Sequence, residues 1–119
     1  MNMKKNKGIT INREIKSEKY SIKYTTDQIL DFLRTQKEFF KKEYRVKKIG
    51  IFGSYARGES YEGSDIDIVV ELEKPDMFYL IGIKQTMEDA LGSRVDVVRI
   101  RDKMNKALKQ RIERDAIYV

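Results

Sequence analysis

Residues 65–72 read Asp-Ile-Asp-Ile-Val-Val-Glu-Leu, and no other stretch of the chain narrows the fold as far. The run is rich in Ile and Val and sits between turn-forming residues, which marks a strand. Side chains alternate along a strand, so Asp65 and Asp67 share one face while Ile66, Ile68 and Val70 share the other. Burying the apolar face therefore sets two carboxylates side by side on the opposite one. Upstream, Val46–Phe52 is a second short apolar run, interrupted by Lys47 and Lys48 and ended by Gly53-Ser54, a strand followed by a turn. Downstream, Val95–Ile100 reads as a third strand, with Asp96 between Val95 and Val97. If these strands pair, Asp65, Asp67 and Asp96 converge at one end of a sheet.

The remaining segments supply helices. Thr25 or Thr26 can cap a helix with Asp27 in its first turn, and Ile29, Leu30, Phe32, Leu33, Phe39 and Phe40 recur at helical spacing as far as about Tyr44. This aromatic stripe fits a core-facing surface better than a binding face. Ser54–Gly58 reads as a brief helical turn, and Phe78–Leu91 as a long helix stopped by Gly92. A last helix is expected from about Lys103 to Arg114, followed by Ile117-Tyr118-Val119 as a terminal strand or a docked tail. The expected class is α/β in the α+β sense, a small mixed sheet covered by helices on one side.

With 119 residues the chain holds one compact domain. It contains neither Cys nor His, which excludes disulfides, thiolate metal sites, Ser-His-Asp chemistry and most zinc chemistry. The net charge of +6 is uneven. Residues 1–24 carry seven Lys or Arg against two Glu, whereas residues 25–119 carry eighteen against seventeen acids. The division expected is a basic N-terminal arm over 1–24, with a short strand near Ile9–Ile15, and a catalytic domain over 25–119. A near-neutral domain argues against nucleic acid as a direct ligand. No apolar run approaches a membrane span and no apolar segment follows the basic start, so a cytoplasmic protein without a membrane partner is expected.

The acid cluster implies a cation. Two carboxylates ~5 Å apart repel by roughly 3 kcal/mol at an effective dielectric near 20. With oxygen ligands alone, magnesium or manganese is the ion that fits, completing its shell with substrate phosphates and water. Gly53 permits close backbone approach to a phosphate, Ser54 adds a hydroxyl donor, and Arg57 a positive fork. Ser64, beside the acid pair, joins this nucleotide-binding set. Gly53–Ser60 is also a near match to the phosphate-binding pattern G-x-x-x-x-G-K-S, but Glu59 stands where lysine is needed and no long helix follows.

Ser54, ten intervening residues, Asp65-x-Asp67 and the third acid Asp96 together resemble the polymerase-beta-like nucleotidyltransferase superfamily, and within it the minimal nucleotidyltransferases. The likeness covers about Ile49–Ile100. It implies that Asp65, Asp67 and Asp96 are metal ligands and catalytic, with Asp96 also helping to deprotonate the attacking hydroxyl. It further implies that Gly53 and Ser54 bind the triphosphate. Many such proteins resemble antitoxins that transfer AMP from ATP to a tyrosine of a HEPN-domain ribonuclease toxin, so a HEPN partner and ATP as substrate are expected. The competing readings are an antitoxin that acts by stoichiometric contact, and a nucleotidyltransferase acting on a small molecule or an RNA end.

Overall fold

A computed structural model describes residues 24–61 and 63–119. The expected arm, with its strand near Ile9–Ile15, lies outside these residues. Tyr24 already belongs to the folded body, because its hydroxyl donates to the Leu91 carbonyl at 2.6 Å.

The first helix, α1 (Thr26–Tyr44), starts where Thr25 and Gln28 cap each other. Thr25 Oγ1 accepts from the Gln28 amide at 3.1 Å, and the Thr25 amide donates to Gln28 Oε1 at 2.9 Å. Its buried stripe is Ile29, Leu30, Leu33 and Phe40. The chain then runs through β1 (Val46–Phe52), a five-residue helix α2 (Gly53–Arg57), β2 (Ile66–Leu72), α3 (Met77–Leu91), β3 (Val95–Arg99), α4 (Lys106–Asp115) and β4 (Ile117–Tyr118). Asp76 and Asn105 cap α3 and α4 by accepting from the Phe78 and Leu108 amides.

The four strands form one mixed sheet in the order β3-β2-β1-β4. β1 runs antiparallel to β2 and β4, and β2 runs parallel to β3, with α3 as the crossover. Gly50 is where β4 closes onto β1, and a Cβ there would overlap the Ile117 carbonyl. Two registers place the acids. Phe52 lies opposite Asp67 across the first pair, and Asp67 lies beside Asp96 across the second.

Both faces of the sheet are covered, which corrects the one-sided expectation. Ile66, Ile68, Val70 and Leu72 pack with Ile49, Ile51, Ile29, Leu33, Ile83 and Met87 against α1 and α3. Val69 has the opposite parity and joins Phe52 and Ile112 beneath α4, with Leu108 and Met104 packed alongside. The physical reason is the unbroken apolar run Ile68-Val69-Val70, which leaves neither face for water. The side chain of Val69 is fully buried, contributing roughly 1.5–3 kcal/mol that a one-sided sheet would forgo. α4 therefore shares a face with the aspartates.

Candidate active site

β1 delivers the chain to its sharpest turn. Gly53 has φ +74°, and a Cβ on it would overlap Asp67 Oδ2 and come within 3.2 Å of its Cγ. Glycine is thus needed twice, for the left-handed backbone and for the space taken by the carboxylate. Ser54 follows at the start of α2, which is too short for a sizeable dipole, so its value lies in individual N–H groups and the Ser54 hydroxyl. α2 is fastened at its middle and its C-terminal end. Thr26 Oγ1 donates to the Tyr55 carbonyl at 2.5 Å, and Arg57 Nη1 donates to Asp115 Oδ2 at 2.6 Å.

A cavity of about 420 Å³ opens over this turn. Ser54, Arg57, Ser64, Asp65 and Asp67 line it, together with Tyr61, Gly63, Arg94 and Arg111. Asp96 does not line it but sits next to Asp67 in the neighbouring strand, exposed to solvent. A larger groove of about 670 Å³ beside the end of α1 is lined by mixed charges such as Lys41, Lys42 and Glu73 and holds none of the motif residues.

The electrostatics favour a cation. Burial, followed by the charge of Asp96 and then that of Asp65, pushes the Asp67 carboxyl above its ordinary range, with Arg111 and Arg57 pulling it back. Asp65 Oδ1 lies 3.1 Å from Arg94 Nε, but the pair lacks hydrogen-bond alignment. That oxygen is buried and accepts no hydrogen bond among the described residues, which is costly for a carboxylate. Among the described residues no three acidic side chains surround a single point as a ready-made metal cage. The oxygen-only donors, the Asp65 oxygen that lacks a hydrogen bond and the half-buried Asp67 carboxyl beside two other acids nevertheless suit magnesium or manganese, which take much of their shell from phosphate and water.

The geometry qualifies two sequence expectations. Arg57 is near the turn, but its guanidinium also donates to Glu59 Oε1 at 2.9 Å, so it is shared between two carboxylates. Ser64 Oγ accepts from the Tyr61 amide at 2.8 Å, closing the loop before the acid strand. Sequence reasoning missed Arg94, Arg111 and Asp115. Asp115 is almost fully buried and is held at a pKa of about 2 by hydrogen bonds from Arg114 and then Arg57. Nothing in the local sequence marks Arg111, which reaches the site only because α4 lies on the acid face.

The family model for the nucleotidyltransferase domain matches residues 33–119. A candidate protein adenylyltransferase of Methanocaldococcus jannaschii is 46% identical over 96 residues, 80% of this chain and 98% of that one. The protein adenylyltransferase MntA of Thermococcus cleftensis is 34% identical over 96 residues, covering 80% and 96%. Among solved structures, a chain of a toxin–antitoxin crystal structure with AMP-PNP superimposes with a TM-score of 0.59 at 27% identity, over 80% of this chain and 72% of that one. A chain of the tri-AMPylated Shewanella oneidensis HEPN toxin in complex with MNT antitoxin gives 0.51 at 26% identity, over 78% and 66%.

Proposed function

The chain belongs to the nucleotidyltransferase domain family, and from that premise we propose that it is a protein adenylyltransferase that moves AMP from ATP onto a tyrosine of a HEPN-domain toxin, acting as its antitoxin. The observation that carries the chemistry is the placement of Asp65, Asp67 and Ser54 around one cavity, with Gly53 packed against the Asp67 carboxylate and Asp96 in register beside Asp67. The relatives' adenylyltransferase names and the AMPylated HEPN toxin in a related complex support the acceptor.

In this reading Asp65 and Asp67 hold Mg²⁺ or Mn²⁺, with Asp96 as the third ligand. The ion, when bound, offsets phosphate charge and polarises the phosphoryl oxygens. Ser54 and the backbone N–H groups after Gly53 donate to the triphosphate, and Ser64 and Arg57 complete the nucleotide-binding rim. The acceptor hydroxyl oxygen attacks the α-phosphorus in line. One phosphorus–oxygen bond forms, the bond to the bridging oxygen of the β-phosphate breaks, and pyrophosphate leaves. The hydroxyl proton passes to Asp96, which solvent can then relieve. The domain offers little surface to orient a small acceptor, whereas a docked protein can hold its tyrosine at ~3–3.5 Å from phosphorus through a broad interface. An added AMP near a ribonuclease site repels RNA phosphates. The reaction belongs in the cytoplasm, where ATP is available.

Calorimetric titration with ATP tests the site. Binding should need Mg²⁺ or Mn²⁺, weaken on chelation, and be lost in Asp65→Asn/Asp67→Asn. Equal ATP affinity with and without metal would remove the basis of this reading.

A further inference from the structure

We infer that Arg111 on α4 grips the β- and γ-phosphates of the nucleotide and holds the pyrophosphate as it leaves; this rests on the nucleotidyl-transfer reading above. Three arginines wall the cavity, and two of them already lie within ion-pair distance of carboxylates. Arg57 is bonded to Asp115 and Glu59, and Arg94 faces Asp65 at 3.1 Å. Arg111 makes no ion pair among the described residues, yet lines the same cavity as Ser54 and Asp67.

Its position is braced. The guanidinium carbon lies 5.6 Å from the centroid of the Phe52 ring. Phe52 is buried and directly precedes Gly53, while Ile112, the next residue on α4, is buried against the sheet. A cation held over a ring by this contact has less side-chain freedom to lose on binding. The planar guanidinium presents paired donors that match phosphate oxygens. The need is also clear from the charges. A triphosphate enters a cavity already walled by Asp65 and Asp67, and Arg111 is the arginine there that forms no ion pair among the described residues, its charge reaching Asp67 only at longer range.

The competing role is purely structural, as a lid over Phe52. Arg111→Met separates the two, since it keeps an unbranched stem over the ring and removes the charge. Displacement titrations of the full chain in Mg²⁺, with AMP-PNP and with AMP, read the outcome. Arg111→Met should weaken AMP-PNP by roughly 10–30-fold, the worth of a charge-assisted contact, and AMP by no more than about 2-fold. Arg111→Lys should fall between parent and Met, because it keeps charge without the fork. Equal weakening of both nucleotides, or an undiminished AMP-PNP affinity in either variant, overturns the assignment. A parent chain that binds neither nucleotide overturns the transferase reading itself and this inference with it.

Discussion

Replacing Gly53 by Ala isolates the contact between the phosphate turn and the acid strand. Two costs follow from the structure. An alanine at φ +74° pays about 1–2 kcal/mol for the left-handed backbone, partly offset by a less flexible unfolded chain. The new Cβ also overlaps Asp67 Oδ2 and crowds Cγ at 3.2 Å, while Asp67 Cβ, at 3.5 Å, is in ordinary contact. The carboxylate must therefore swing while the strand stays in place. A displacement near 1 Å at a reacting centre costs on the order of 100-fold in rate. Gly58→Ala is the matched control, with φ +71° and nothing within 4 Å of its added Cβ. Both variants should lose about 1–2 kcal/mol, or roughly 5–15 °C in thermal midpoint. Only Gly53→Ala should lose kcat/KM by ~100-fold, with Gly58→Ala staying within a few-fold. Thermal unfolding and initial rates of AMP transfer read both. Equal activity losses in the two variants, or a fully active Gly53→Ala, would refute the reasoning.

Ser54→Ala should weaken ATP by about 1–2 kcal/mol with little change in thermal midpoint, the scale of one hydrogen bond to a charged group; unfolding, or parent-like affinity in calorimetry, contradicts it. Asp115 has its folded pKa lowered from 3.8 to about 2, so its stabilisation is complete above the unfolded value and fades as pH falls through the folded one. At about 1.4 kcal/mol per unit, discounted because Arg57 and Arg114 are largely exposed, this amounts to roughly 1 kcal/mol. Urea midpoints of the parent should fall between pH 5 and pH 2 by more than those of Asp115→Asn, and parallel profiles would count against the pairing.

The sequence carried the strand–turn–strand and its acids well because their signals are local. Alternation put Asp65 and Asp67 on one face, and Gly53-Ser54 ended β1 at the residue where the structure turns. The Thr25 cap and the Gly92 stop were readable for the same reason. The acid strand proper starts at Ile66, one residue later than the pattern implied. What escaped depends on how distant elements dock. Leu108 and Ile112 show that α4 has an apolar stripe but not which face of the sheet receives it. Val69, apolar between Ile68 and Val70, and Phe52, apolar after Ile51, hinted at a second buried face. That docking brings Arg111 to the cavity and Asp115 to Arg57, and the two carboxylate partners of Arg57 went unseen.

The most direct test combines this chain, ATP and Mg²⁺ with the proposed partner, a HEPN-domain toxin, followed by the intact mass of that protein. The account predicts a gain of one or more AMP units with the parent chain, none with Asp65→Asn/Asp67→Asn, and loss of the added mass when the partner's acceptor tyrosine is changed to phenylalanine. A partner that is silenced while its mass stays unchanged would contradict the account and leave inhibition by contact in its place.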